Sequence, residues 1–306
     1  MKILLTGKNG QVGDALARAL RNTPHQVIAV GSADCDLAKP SAIRELIQST
    51  KPDVVINPAA YTAVDRAESE PDLAHAINAQ APEVMAAELK KTGGSLIHFS
   101  TDYVFDGLKR SPYNELDTAN PQSVYGQTKL QGEQAIAASG VNQIILRTSW
   151  VFSDHGSNFL RTMLRLAAER EELRVVNDQF GAPTSARFLA TTVMRILEQM
   201  ESHVRTAETP IDHNPMSGLY HCSCAGHASW FDYARFAIDL ARSQGAEFKL
   251  APDKLIAIPA SQYPTPAARP ANSVLDNTKL EQTFGIQRPD WQTEVQDIVK
   301  TLNSPT

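Results

Sequence analysis

The chain has 306 residues, 42% hydrophobic and 21% charged, which supplies a large core and excludes a disordered polymer. A formal charge of −5 offers no basic surface to a nucleic acid, and no apolar run reaches the roughly 18 residues that a membrane span needs. Three cysteines make no paired framework, and the first residues lack the order of a secretory signal, so a cytoplasmic protein is expected.

In chain order, Ile3-Leu4-Leu5 reads as a strand and Val12–Arg21 as a helix with Val12, Leu16, Ala19 and Leu20 at helical spacing. Val27–Val30 is a second strand, Ser41–Thr50 a helix behind Pro40, and Val54–Ile56 a third strand. Leu73–Thr92 is a long helix stopped by Gly93-Gly94, and Leu96–Phe99 a fourth strand. Val124–Ser139 is helical up to Gly140, and Gln143–Leu146 is a fifth strand. Continuous apolar strands alternating with helices predict an α/β fold, a doubly wound parallel sheet of the Rossmann type. Beyond Trp150 the pattern loosens: helices over Phe159–Arg170, Ala186–Met200, Trp230–Ser243 and Trp291–Leu302, strands over Leu173–Val176 and Tyr220–Ser223, a polar excursion over Glu201–Gly218, and irregular chain over the proline-rich Tyr263–Pro270. Residues 1–177 are therefore expected to be mainly dinucleotide-binding, with 151–172 partly in a second lobe. Residues 178–306 form mainly a smaller, interwoven substrate lobe with some return to the first.

Gly7-Lys8-Asn9-Gly10-Gln11-Val12-Gly13 joins the first strand to the first helix. Glycines there permit a tight turn, and the helix N-terminus offers free N–H groups to a pyrophosphate. The G-x-x-G-x-x-G order departs from the usual dinucleotide fingerprint, and a plain strand-to-helix turn is the competing reading. The acid expected after the second strand is absent. Gly31 and Ser32 occupy its place, with Asp34 and Asp36 further on and no arginine nearby. Either NADH or NADPH is admitted, with a lean to NADPH.

Tyr125 and Lys129 are four apart on a predicted helix and share a face. A free phenol has a pKa of about 10, too high for proton exchange near neutrality, and an adjacent ammonium lowers it. The same lysine can hold the nicotinamide ribose. Thr101, at the carboxyl end of the fourth strand, is placed to hydrogen-bond the reacting oxygen.

The motifs Gly7–Gly13, Ser100-Thr101-Asp102-Tyr103-Val104-Phe105, Tyr125-x-x-x-Lys129, Arg147-Thr148-Ser149-Trp150-Val151, Gly181-Ala182-Pro183-Thr184, Tyr263-Pro264-Thr265-Pro266 and Arg269-Pro270 together resemble the dTDP-4-dehydrorhamnose reductase family of the extended short-chain dehydrogenases. The resemblance implies NAD(P)H-dependent reduction of a nucleotide-linked 4-keto sugar, the last step of dTDP-L-rhamnose synthesis. It implies that Gly10, Gln11 and Val12 line the pyrophosphate, that Asp36 and Leu37 lie near the adenosine, and that Ala60, Tyr61 and Thr62 border the cofactor. It also implies that Thr101, Asp102 and Trp150 touch the sugar and that Arg269 meets the diphosphate. Some members resemble magnesium-bridged dimers built on acidic residues. Here those stretches read Asp14-Ala15 and Ser185-Ala186-Arg187-Phe188, so no metal bridge is expected, and any homodimer forms without one.

Other clusters read as structural. His221-Cys222-Ser223-Cys224 with His227 lacks zinc spacing and suits a buried strand. Asp65, Glu68 and Glu70 suit a solvated helix start, and His98 a packed strand. Ser153-Asp154-His155 is not a triad. Two rival functions stand beside reduction: an epimerase or dehydratase with tightly held NAD, and a non-catalytic regulatory subunit that binds dinucleotide. A dehydratase would want a glutamate where Tyr103 follows Asp102, and a subunit has no need of Thr101, Tyr125 and Lys129 together.

Overall fold

The computed structural model describes residues 1–206 and 215–303. Strand β1 (Lys2–Leu5) leads through the glycine turn into α1 (Gln11–Leu20), β2 (Gln26–Ala29), α2 (Pro40–Thr50) and β3 (Val54–Asn57). Two short helices (Val64–Ala67 and Pro71–His75) and a π-helical turn (Ala76–Gln80) run into α3 (Ala81–Thr92). Then come β4 (Ser95–Thr101), α4 (Val124–Ser139), β5 (Asn142–Thr148), α5 (Phe159–Glu169), β6 (Leu173–Val176) and α6 (Ala186–Thr206). Strand β7 (Gly218–His221), α7 (Trp230–Ser243), β8 (Leu255–Ile258), α8 (Thr278–Phe284) and α9 (Trp291–Asn303) complete the order. Part of the polar stretch expected over 201–218, residues 207–214, lies outside the described residues.

The main sheet is fully parallel, in the order β7-β5-β4-β3-β1-β2. Its apolar runs are buried on both faces. Ile3, Leu5, Val54, Ile56, Ile97 and Leu146 pack on one side, and Leu4, Val55, Leu96 and Ile145 on the other. From β1 the chain crosses to β2 on one flank and then to β3 on the other. The glycine turn therefore opens at the switch point, where ligands of such sheets bind.

The predicted fold class is the one observed, with differences of detail. The long helix expected over Leu73–Thr92 is interrupted by its π turn, and α6 continues past Met200 to Thr206. The seven-residue α8 and the four-residue β8 are too short to carry a readable period. The strand expected over Tyr220–Ser223 is β7, which ends at His221. It joins the sheet beside β5, from Gly218 opposite Ile144 to His221 opposite Arg147.

Helix α4 carries Tyr125 and Lys129, and its ends are set locally. The Ser123 side chain accepts from the Gly126 N–H at 3.2 Å, and Gly140 closes the helix at φ 66°. A Cβ at Gly132 would stand 2.2 Å from the Asn78 carbonyl oxygen in the π turn. Glycine is what lets the two elements press together. Alanine normally gains about 1 kcal/mol over glycine inside a helix. Here the sign reverses: Gly132→Ala is expected to lower stability by about 2 kcal/mol or more in urea unfolding. A stabilised variant would show that the contact gives way freely.

Candidate active site

A cavity of about 600 Å³ lies over the carboxyl ends of the strands. Gly7, Gly10, Gln11, Val12 and Gly13 line it at one side, and Tyr125, Lys129 and Ser100 at the other. Gly7 adopts φ 61°, and a Cβ at Gly13 would sit 1.9 Å from the Gly7 carbonyl oxygen. This turn therefore tolerates no side chain at Gly13. Gly31, Ser32, Asp36 and Leu37 line the end beyond β2, and Ala60 and Thr62 the edge beyond β3.

Tyr61 departs from its expected place on the cavity. Its N–H donates to Asn78 Oδ1 at 2.8 Å and its phenol donates to Glu70, which hold it against the π turn. The acidic group around it is likewise more than a solvated helix start. Asp65 receives the Arg269 guanidinium at 2.8 and 3.1 Å, Glu68 accepts the Val124 N–H, and Glu70 also pairs with Arg66. Arg269 is thus already committed to a carboxylate and does not line the cavity; reaching a phosphate requires it to share that guanidinium.

Trp150 also lies off the cavity lining. It stacks on Trp230 with ring centres 3.4 Å apart and planes 7° apart. A Cβ at Gly181 would come within 2.4 Å of the indole, so the glycine leaves room for the ring. Holding the indole there requires Trp150 to adopt φ 46°, a strained value for a side chain of that size.

Lys129 is 1% exposed. Its Nζ donates to the Phe99 carbonyl at 2.6 Å and lies 3.2 Å from His98 Nε2. Burial lowers its pKa to about 8, against the pull of Glu133 one helical turn on. Glu133 is itself gripped by Arg147 at 2.6 and 2.9 Å and accepts from Ser100.

Burial pushes the Tyr125 phenol up to about 12, and Asp102 adds to that rise; a hydrogen bond with Thr101 works the other way. The lowering expected from Lys129 does not govern the phenol here, because the ammonium is turned to Phe99 and His98. The Thr101 hydroxyl donates to Asp102 Oδ1 at 3.0 Å and accepts the Tyr103 N–H at 3.2 Å. Burial raises the Asp102 carboxyl to about 6, with Ser273 beside it. Tyr103 packs edge-on against Tyr125, ring centres 5.6 Å apart.

The segment after β5 closes the cavity over the glycine turn, a tertiary contact without a local sequence signal. Ser153 donates to Gln11 Oε1 at 2.9 Å, Asn158 donates to the same oxygen, and His155 Nε2 lies 3.2 Å from the Asn9 carbonyl. Asp154 pairs with Arg18, so the three neighbours diverge and form no triad. A cation beyond β2 also has no local sequence signal. Lys8 reaches over Gly31 to Asp34 at 2.7 Å. Cys35, Cys222 and Cys224 are buried free thiols, and among the described residues no group of three potential metal ligands converges. Arg187 is paired with Glu294 and Asp297.

A family model described as the RmlD substrate binding domain matches residues 1–304. A dTDP-4-dehydrorhamnose reductase of Burkholderia thailandensis is 47% identical over 99% of this chain and all of that protein. The chain belongs to the dTDP-4-dehydrorhamnose reductase family. Among solved structures, the family's protein from Clostridium acetobutylicum superposes with a TM-score of 0.89 at 36% identity, covering 99% of this chain and 100% of that one. The Bacillus anthracis reductase, solved in complex with NADP, superposes with a TM-score of 0.87 at 30% identity, covering 98% of this chain and 99% of that one.

Within that family frame, Asp102 offers a direct check on the electrostatics. Its carboxyl titrates above its ordinary value, so folding favours the neutral acid. The stability this gives is present at low pH and is lost as pH rises towards about 6. Asp102→Asn is expected to match the parent near pH 4 and to exceed it by about 2 kcal/mol at pH 8. Equal unfolding midpoints at pH 8 would contradict the buried-acid reading.

Proposed function

We infer that this protein reduces the 4-keto group of dTDP-4-dehydro-L-rhamnose to give dTDP-L-rhamnose, the last step of dTDP-rhamnose synthesis. The observation that carries this reading is that Tyr125 and Lys129 line one wall of a cavity floored by the glycine turn, with Thr101 next to that lining at the end of β4. The residues present suit a dinucleotide: free helix N-terminal amides at the turn, no acid at Gly31 or Ser32, and Lys8 close by. A bound nicotinamide supplies the hydride that reaches the carbonyl carbon.

The chain's own part is proton and position. Tyr125 gives its proton to the developing alkoxide, completing the alcohol and leaving a phenolate that water in the cavity reprotonates before the next turnover. Thr101 hydrogen-bonds the same oxygen by turning its one hydroxyl proton from Asp102 Oδ1, where it rests here, towards the substrate. Lys129 secures the ribose. The lack of an acid at Gly31 and the presence of Lys8 favour NADPH, with NADH also accepted. Trp150 and Arg269 are the side chains proposed to shape the nucleotide-sugar end. A cytoplasmic location, and a dimer without a metal bridge if one forms, complete the reading. No described helix is long and apolar enough to cross a membrane.

Tyr125→Phe is expected to retain NADPH binding and to lose turnover by about 100-fold or more. Following NADPH absorbance with dTDP-4-dehydrorhamnose tests it, and a variant as fast as the parent overturns the assignment. The same assay with EDTA is expected to run at the parent rate, because Arg187 occupies the acidic pair formed by Glu294 and Asp297.

A further inference from the structure

Behind the cavity wall runs a chain of buried polar groups that the mechanism above leaves unused. The Thr6 hydroxyl donates to Asn57 Oδ1 at 2.5 Å, and Asn57 Nδ2 lies 3.1 Å from His98 Nδ1. His98 Nε2 in turn lies 3.2 Å from Lys129 Nζ. Thr6, Asn57, His98 and Lys129 are each 1% exposed or less. No water competes for these bonds, so donors and acceptors must match along the whole chain.

We propose that His98 is a positioning residue for Lys129, holding the ammonium through Nε2 so that one N–H stays aimed into the cavity, with the ring's tautomer following the lysine proton. The inference rests on the reductase reading and adds a residue to it. An ammonium has three N–H donors. The Phe99 carbonyl takes one, and His98 Nε2, 3.2 Å away, takes a second whenever the ring proton sits on Nδ1, leaving one for a ribose hydroxyl.

The matching rule gives the chain two self-consistent settings. When Lys129 is charged, Nε2 accepts, so the ring proton sits on Nδ1 and Asn57 must present its carboxamide oxygen to it. When Lys129 is neutral, its lone pair accepts from Nε2–H, and Asn57 presents its NH₂ group to Nδ1, the orientation found here. The settings differ by one lysine proton, a ring tautomer and a half turn of the Asn57 carboxamide. Burial beside a cation keeps His98 itself neutral, far below its ordinary pKa, so the ring exchanges tautomers without gaining charge. The other ionisable groups around Lys129 are Tyr125 and Glu133 on its own helix, Arg147 on β5 closing on Glu133, and Asp102 beyond the tyrosine. None of them offers Nζ an acceptor in place of Nε2.

Two substitutions of similar size separate this role from packing. His98→Gln keeps a carboxamide atom near the position of Nε2, whereas His98→Asn keeps one near Nδ1 only. NADPH binding is read by fluorescence from about pH 6 to about pH 10, spanning the lysine titration, and the pH profile of kcat/KM is recorded alongside. For the parent and His98→Gln, affinity is expected to fall as pH rises through about 8, where the ammonium is lost. His98→Asn is expected to bind NADPH about ten-fold more weakly at neutrality, with the midpoint moved about one pH unit to the acid side, because the charged form has lost an acceptor. If the two variants share one midpoint, shifted or not, the proposal is overturned. The binding titration needs no turnover. A parent that binds NADPH but reduces no sugar ketone would count against the reductase reading while leaving the comparison at His98 decisive.

Discussion

An ammonium removed from water must meet acceptors, because an unmatched buried charge costs several kcal/mol. Lys129 meets this demand at the carboxyl end of β4, through the Phe99 carbonyl and His98. Much of the surrounding architecture follows from bringing a helix close enough for that contact. Helix α4 has to lie hard against the sheet and the π turn, and it does so where Gly126 and Gly132 carry no side chain. A Cβ at Gly126 would meet the Tyr103 carbonyl oxygen at 2.2 Å, so the same glycine fixes how closely the Thr101–Tyr103 turn approaches Tyr125.

Charge is balanced in layers around this point. Glu133 faces Lys129 from one turn along the helix and is saturated by Arg147 from the neighbouring strand. Asp102, by contrast, has hydroxyl neighbours and no cation, so burial dominates and raises its carboxyl to about 6. The two carboxyl groups thus sit in different company: Glu133 has a guanidinium against it, and Asp102 has hydroxyl neighbours only. The result is a pocket wall with a basic side at Lys129 and a hydroxyl side at Tyr125, with Thr101 next to it. That polarity suits the proposed reduction, in which a ketone oxygen becomes negative beside the hydroxyls.

The sheet was legible because burial on both faces writes strands as unbroken apolar runs, and α4 was legible to the residue because Ser123 and Gly140 cap it. The glycine turn and the Tyr125–Lys129 spacing were readable for the same local reason. What escaped was set by distant parts of the chain. Nothing near Arg269 announces Asp65, some 204 positions away, and nothing near Gln11 announces Ser153 and Asn158. Nothing local shows that Tyr61, between Ala60 and Thr62 on the cavity lining, turns its phenol to a partner nine residues on. His98 was read as packed, and it is buried, but a one-dimensional pattern does not show that its ring bridges an asparagine and a lysine.

The parallel edge formed by β7 gives the two halves of the chain a shared fate. Until residue 221 has been synthesised, β5 presents a row of unsatisfied amides and carbonyls to solvent. A nascent or cleaved N-terminal half would carry a complete glycine turn and yet a sticky flank, open to pairing with any extended peptide. The closing strand thus acts as a late-arriving seal, tying the dinucleotide fold to synthesis of the second half.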